Sequence, residues 1–161
     1  FKNPIAGNKK VIVFLANIKN EDQNHIFLKL IYNSKLKKEN IYVKLHPSLN
    51  DNLYKQKYKR IKFTLTNRTI SEELSLENYC LALSYNSSAY YDAYMQGLRC
   101  LRFTTEFSLQ GPQILNDDFE SVNELNKLLI DLNKNTFNSP DILEKLVHVL
   151  GININNYARL N

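Results

Sequence analysis

Short, continuous apolar runs rich in β-branched residues alternate with helical patterns along this chain, and that alternation constrains the fold more than any other feature. Lys10-Val11-Ile12-Val13-Phe14-Leu15-Ala16 opens the series. An unbroken apolar run, unlike an alternating one, suits a strand covered on both faces, as in a parallel sheet. From about Asp22 to Lys37, Ile26, Phe27, Leu30 and Ile31 recur at helical spacing with lysines opposite them. Ile41 to Leu45 reads as a second strand stopped by His46-Pro47, because proline lacks the N–H an interior strand needs. A polar, helical connection over Asn50 to Lys59 leads to a third strand at Ile61 to Leu65 and a short helix at Ser71 to Leu76.

Tyr79 to Leu83 is the fourth strand and runs into Ser84-Tyr85-Asn86-Ser87-Ser88. A helix follows from Ala89 to Gln96, with Gly97 as its stop residue, and Arg99 to Phe103 is a fifth strand. Thr104 to Asp118 reads as a loop of about fifteen residues, long enough to suspect a function. Two helices close the chain, one marked by Val122, Leu125, Leu129 and Leu132 and one by Ile142, Leu143, Leu146, Val147 and Leu150, with Pro140 suited to the first turn of the second. Strand–helix alternation predicts parallel βαβ units, and so an α/β, Rossmann-like, doubly wound sheet of five or six strands with C-terminal helices. With strand order 3-2-1-4-5, ligands bind beyond the C-terminal ends of strands one and four.

The chain has 161 residues, enough for one domain with a proper core, and shows no internal repeat or second boundary. It opens Phe1-Lys2-Asn3-Pro4, without an initiator Met or signal-peptide layout, and reads as the inside of a longer chain. Abundant Asn, Lys, Ile and Tyr without Trp fit an AT-rich bacterial genome. The net charge of +5 makes an anionic partner plausible. Cys80 and Cys100 lie in apolar runs without metal-ligand spacing, which suits buried, reduced thiols in a cytoplasmic protein, although neighbouring strands would also permit a disulfide. No stretch is long and apolar enough to span a bilayer.

Three segments are predicted to converge at the ligand edge: His46-Pro47 after strand two, Tyr85-Asn86-Ser87-Ser88 after strand four, and Thr104-Thr105-Glu106 after strand five. Ser87 and Ser88 stand where a helix begins, so their hydroxyls and the unpaired backbone N–H groups suit a phosphate, or one serine simply caps the helix. His46 can donate a hydrogen bond or, when protonated, offer a charge to that phosphate; the alternative is a strand-end histidine without a ligand.

Lys44-Leu45-His46-Pro47, followed by Ser84-Tyr85-Asn86-Ser87-Ser88-Ala89 and Gly97, resembles the His-Pro and Ser motifs of bacterial sialyltransferases. Polysialyltransferases, capsular Kdo transferases and teichoic-acid-type CDP-alditol transferases look similar in these segments. The resemblance covers about residues 10–103. It implies that residues 1–161 are a single nucleotide-sugar-binding domain, the donor half of a larger two-domain enzyme of GT-B type. His46 would contact the donor phosphate as the catalytic residue, Ser87 and Ser88 would hold phosphate, and Pro47 and Asn86 would be further substrate-binding residues. The donor it implies is CMP-linked, such as a sialic acid for capsule or lipooligosaccharide, with no metal or other cofactor. The general base and the glycan acceptor site would belong to an N-terminal half absent from this sequence. The enzyme would be cytoplasmic, with peripheral association at the inner face of the bacterial membrane. A CDP-alditol phosphotransferase domain and a non-catalytic binding module on the same fold are the alternatives.

Further candidates carry less. Glu106 could accept hydrogen bonds from ribose hydroxyls or be a solvated loop residue, Tyr85 could stack on a base or be structural, and Asp92 suits the helix dipole. Lys55, Lys57, Lys59, Arg60 and Lys62 make a basic stretch that could steer an anion or be a solvated face. No nucleic-acid-binding motif accompanies it, so nucleic acid is not expected as a partner. A P-loop, a Gly-x-Gly-x-x-Gly turn and a Gly-x-Ser-x-Gly elbow are all missing, and His25, His46 and His148 lack zinc spacing.

Overall fold

The computed structural model describes residues 8–132 and 139–151. Its centre is a six-stranded sheet in the order β3-β2-β1-β4-β5-β6, every pair parallel. The strands are β1 (Lys10–Phe14), β2 (Ile41–Lys44), β3 (Lys62–Phe63), β4 (Tyr79–Ser84), β5 (Cys100–Phe103) and β6 (Asp118–Phe119). The helices are α1 (Glu21–Tyr32), α2 (Asp51–Lys57), α3 (Ile70–Leu76), α4 (Ala89–Met95), α5 (Val122–Asp131) and α6 (Ser139–Leu150). The expected order 3-2-1-4-5 is present, and the chain folds as a Rossmann-like, doubly wound α/β domain.

Alternation along β1 shows why the central strands read as unbroken apolar runs. Val11, Val13 and Leu15 join one core with Phe27, Leu28 and Ile31 of α1 and Leu125 and Leu129 of α5. Ile12 and Phe14 join the other core, with Ala89, Tyr90 and Ala93 of α4 and Ile142 and Leu146 of α6. Both faces are thus covered by helices, and each fully buried aliphatic or aromatic side chain contributes about 1.5–3 kcal/mol.

Local chemistry sets the ends of the elements. Gly97 takes φ +76 after α4, where its N–H reaches the Tyr94 carbonyl and the Leu98 N–H reaches that of Ala93. That pair of bonds is a Schellman stop, as Gly97 leads one to expect. Thr69 and Glu72 form a reciprocal capping box at the start of α3.

The structure corrects two boundaries. α1 ends at Tyr32, five residues short of the expected end at Lys37, and Ser34 Oγ donates to the Ile31 carbonyl at 2.6 Å and closes the turn there. The end of the expected loop after β5 forms the sixth strand. There the Asp118 carboxylate receives two bonds from Arg102, at 2.8 and 3.1 Å, which fix β6 beside β5. Cys80 and Cys100 are buried on the adjacent strands β4 and β5 and form no disulfide with each other. Burial raises the Cys100 thiol pKa well above its ordinary value. Among the described residues no helix is long and apolar enough to cross a membrane.

Candidate functional site

Beyond the C-terminal ends of β1, β2 and β4 lies a cleft of about 480 Å³. Phe14, Leu15, Leu45, Leu49 and Ile70 supply its apolar lining, and Lys44, His46, Asp51, Arg68, Ser87 and Ser88 its principal polar groups. It sits between β1 and β4, where the strand order reverses. The chain runs outward from β1 to β2 and β3, then crosses to β4 on the other side of β1, and doubly wound sheets bind ligands at such a switch point.

The β1 side is pinned from within. Asn24 of α1 is fully buried, donates to the Ala16 carbonyl at 2.8 Å and accepts from the Ala16 N–H at 2.9 Å. This bidentate bond fixes the chain as it leaves β1 and satisfies two backbone groups that have left the ladder.

On the β2 side, His46-Pro47-Ser48-Leu49 makes a tight turn, closed by the Leu49 N–H on the His46 carbonyl at 2.9 Å. The Ser48 N–H donates to His46 Nδ1 at 3.1 Å, and Ser48 Oγ lies 2.8 Å from the same nitrogen. Ser48 Oγ also accepts from the Ile18 N–H at 3.0 Å, so its own proton is available to Nδ1. An Nδ1 that accepts carries no proton, and the neutral ring therefore holds its proton on Nε2 as a donor.

Across the cleft, the chain leaves β4 through Tyr85 and Asn86, and Asn86 takes φ +44, a left-handed conformation that asparagine tolerates better than most residues. Ser87 Oγ accepts from the Ala89 N–H at 3.2 Å, whereas Ser88 makes no side-chain cap bond and is exposed. α4 has only seven residues, which keeps its helix dipole small.

The third wall comes from the segment after β3. Arg68 donates through Nη1 to Glu73 at 3.1 Å and to Glu77 at 3.2 Å, and Glu77 is also paired with Lys10 at 3.0 Å. Buried Glu73 further accepts from the Tyr79 hydroxyl at 2.6 Å. This cluster and the Thr69 capping box hold the 66–70 segment against the cleft. Lys44, the last residue of β2, donates to the Arg68 carbonyl at 2.7 Å. Burial lowers its ammonium pKa from the usual value, and nearby Glu73 and Glu72 partly oppose that effect.

The structure brings His46, Pro47, Ser87 and Ser88 to this one cleft. Tyr85 requires correction. Its ring is fully buried among Phe27 and Phe103, with centroids 6.3 and 5.5 Å away, so it presents no face to a base. Asn86 serves the neighbouring loop: its side chain donates to the Phe107 carbonyl and accepts from the Leu109 N–H, and its own N–H donates to Gln110. Glu106 stands exposed on that loop, outside the cleft lining. Asp92 is half-buried, and burial raises its carboxyl pKa. The basic stretch is dispersed: Lys55 pairs with Asp51 at 2.9 Å, Lys62 donates to the Tyr42 hydroxyl, and none of its five members lines the cleft.

Sequence reasoning assigned no role to Lys44, although it begins the quoted His-Pro segment, and missed Arg68 and Ser48 altogether. For Ser48 the signal was its position two residues after His46, within reach of the ring. Arg68 had none, because only the fold carries its loop to the site. Among the described residues no group of three histidine, cysteine or carboxylate side chains is arranged to hold a metal ion. No protein-family model matches the chain, and no curated protein matches it.

Proposed function

We propose that this domain binds the nucleotide of an activated sugar, with the donor phosphate seated between His46 and the Ser87–Ser88 turn. The observation that carries the reading is the convergence of these two motifs, separated by forty residues of sequence, on one cleft at the switch point of the sheet. Among the described residues, His46 Nε2–H and the Ser88 hydroxyl have no hydrogen-bond partner, and both are donors that a ligand can use.

The favoured donor is CMP-linked, and the enzyme is a glycosyltransferase of sialyltransferase-like type that builds a bacterial surface glycan. Within it, this chain's residues orient the donor and stabilise the charge on the departing phosphate through preorganised hydrogen bonds. The general base and the acceptor site lie outside this chain, which on its own binds donor without completing a turnover. The protein works in the cytoplasm, at the inner face of the membrane.

Calorimetric titration with CMP, CDP, UDP and ADP tests this. The reading predicts micromolar to millimolar binding with CMP preferred. Preference for CDP moves the assignment to a CDP-alditol phosphotransferase, and binding of UDP or ADP alone removes the cytidine assignment.

One observation favours a second reading, a non-catalytic binding module. Phe107 and Leu109 on the loop after β5 are 57% and 92% exposed, as residues at a protein contact are before assembly. This reading gains if a well-folded chain binds none of the four nucleotides.

A further inference from the structure

Among the described residues, the charged side chains around the cleft are paired with neighbours, with one exception. Arg68 is held by Glu73 and Glu77, Lys10 by Glu77, and Lys55 by Asp51, which itself lines the cleft. Lys44 is half-buried, and among the described residues it has no ion pair with a carboxylate. Its one hydrogen bond goes to the neutral Arg68 carbonyl. The carboxylates whose charge acts on it, Glu73 and Glu72, are committed elsewhere: Glu73 to Arg68 and Tyr79, and Glu72 to its capping box. A half-buried ammonium without a counter-ion is costly to maintain, and an anion arriving in the cleft relieves that cost.

We infer that Lys44 is the phosphate-binding cation of the cleft, aimed by the Arg68 carbonyl and kept uncompensated because the nearby glutamates are already engaged. This rests on the reading of the cleft as a phosphate seat. An ammonium has three N–H donors, so after the bond to Arg68 two remain for phosphate oxygens. Lys44 and His46 leave the same strand end, and Ser87 and Ser88 face them across the cleft, so one phosphate group is met from two sides. Lys44 supplies the charge, and the histidine and serines supply direction.

Lys44→Met keeps the length of the side chain and removes its charge. Wild type and K44M are titrated with CMP and, separately, with inorganic pyrophosphate, while circular dichroism and thermal unfolding monitor the fold. The affinity of K44M for CMP is expected to fall about 10- to 100-fold, the loss of a charge-assisted hydrogen bond, with Tm preserved. CMP binding unchanged in K44M overturns the inference and leaves the donor-domain reading intact. Lys44-dependent binding of pyrophosphate with no binding of CMP upholds the inference and removes the nucleotide reading, and failure of wild type to bind either probe overturns both. If K44M unfolds, the wild-type chain is acylated with acetic anhydride with and without CMP or pyrophosphate. Protection of Lys44 by the probe supports the role, and equal labelling overturns it.

Discussion

Ser48 directs both its backbone N–H, at 3.1 Å, and its hydroxyl, at 2.8 Å, to Nδ1 of His46, two residues before it in the chain. The ring that carries the proposed phosphate contact is thereby held in one orientation and one neutral tautomer, protonated at Nε2. Because the same hydroxyl accepts from the Ile18 N–H, the turn after β2 is also tied to the segment after β1.

That arrangement predicts the behaviour of Ser48→Ala. Long-range nitrogen–proton NMR correlation should find the neutral His46 ring of the wild type protonated at Nε2, and the variant should keep that tautomer, because the backbone N–H of position 48 still donates to Nδ1. A wild-type ring with substantial Nδ1–H contradicts the assignment.

Asn24 is the buried fastener of the β1 end, and Asn24→Ala strands the N–H and carbonyl of Ala16. Stability should fall by about 2–4 kcal/mol, since each buried group left without its partner costs about 1–3 kcal/mol. Urea denaturation measures it, and a loss below about 1 kcal/mol would mean that Ala16 finds other partners.

Tyr85 gives the cleanest separation of core from site. Its hydroxyl, 3.2 Å from Thr105 Oγ1, is its hydrogen bond to the loop after β5. Tyr85→Phe should cost about 0.5–1.5 kcal/mol of stability and leave nucleotide affinity within about twofold of wild type. A large loss of affinity without loss of stability would return this residue to the binding site.

His25 stacks on Tyr54 at 4.9 Å and lies 2.7 Å from the Tyr58 hydroxyl. Burial first, and Lys57 second, hold its imidazole pKa below the ordinary 6.5. A base whose folded value is depressed binds its proton more readily when unfolded, so its favourable contribution is complete above pH 6.5 and is lost as pH falls through the lowered folded value. His25→Phe should therefore lose less stability between pH 7.5 and pH 5 than wild type does, measured by urea unfolding at the two pH values. Parallel losses would assign the acid sensitivity to other groups.

Local patterning made the fold legible where the strands are buried on both faces. Val11 to Ala16 and Tyr79 to Leu83 could hardly be read otherwise, and the Gly97 stop lay in the sequence. β6 was hidden because two residues carry no periodicity and its place depends on Arg102 reaching Asp118 from the neighbouring strand. At the site, His46 and the two serines were visible because they follow strand ends directly. Tyr85 misled because β4 remains buried for one residue beyond its last ladder position, and the Tyr85 N–H still bonds the Phe14 carbonyl at 3.2 Å. The charges of the site could not be sorted in one dimension: which lysine lacks a carboxylate is decided by Glu73 and Glu77, about thirty residues from Lys44.

His46 and the Ser87–Ser88 turn are proposed to hold one nucleotide phosphate between them. Titration of CMP into wild type, His46→Ala and the double Ser87→Ala, Ser88→Ala variant tests this most directly. Saturable binding to wild type is expected, weakened in each variant by about 1.5–3 kcal/mol, as for lost hydrogen bonds to a charged group. CMP binding that is indifferent to both variants would contradict that role, and would put the nucleotide elsewhere on the domain.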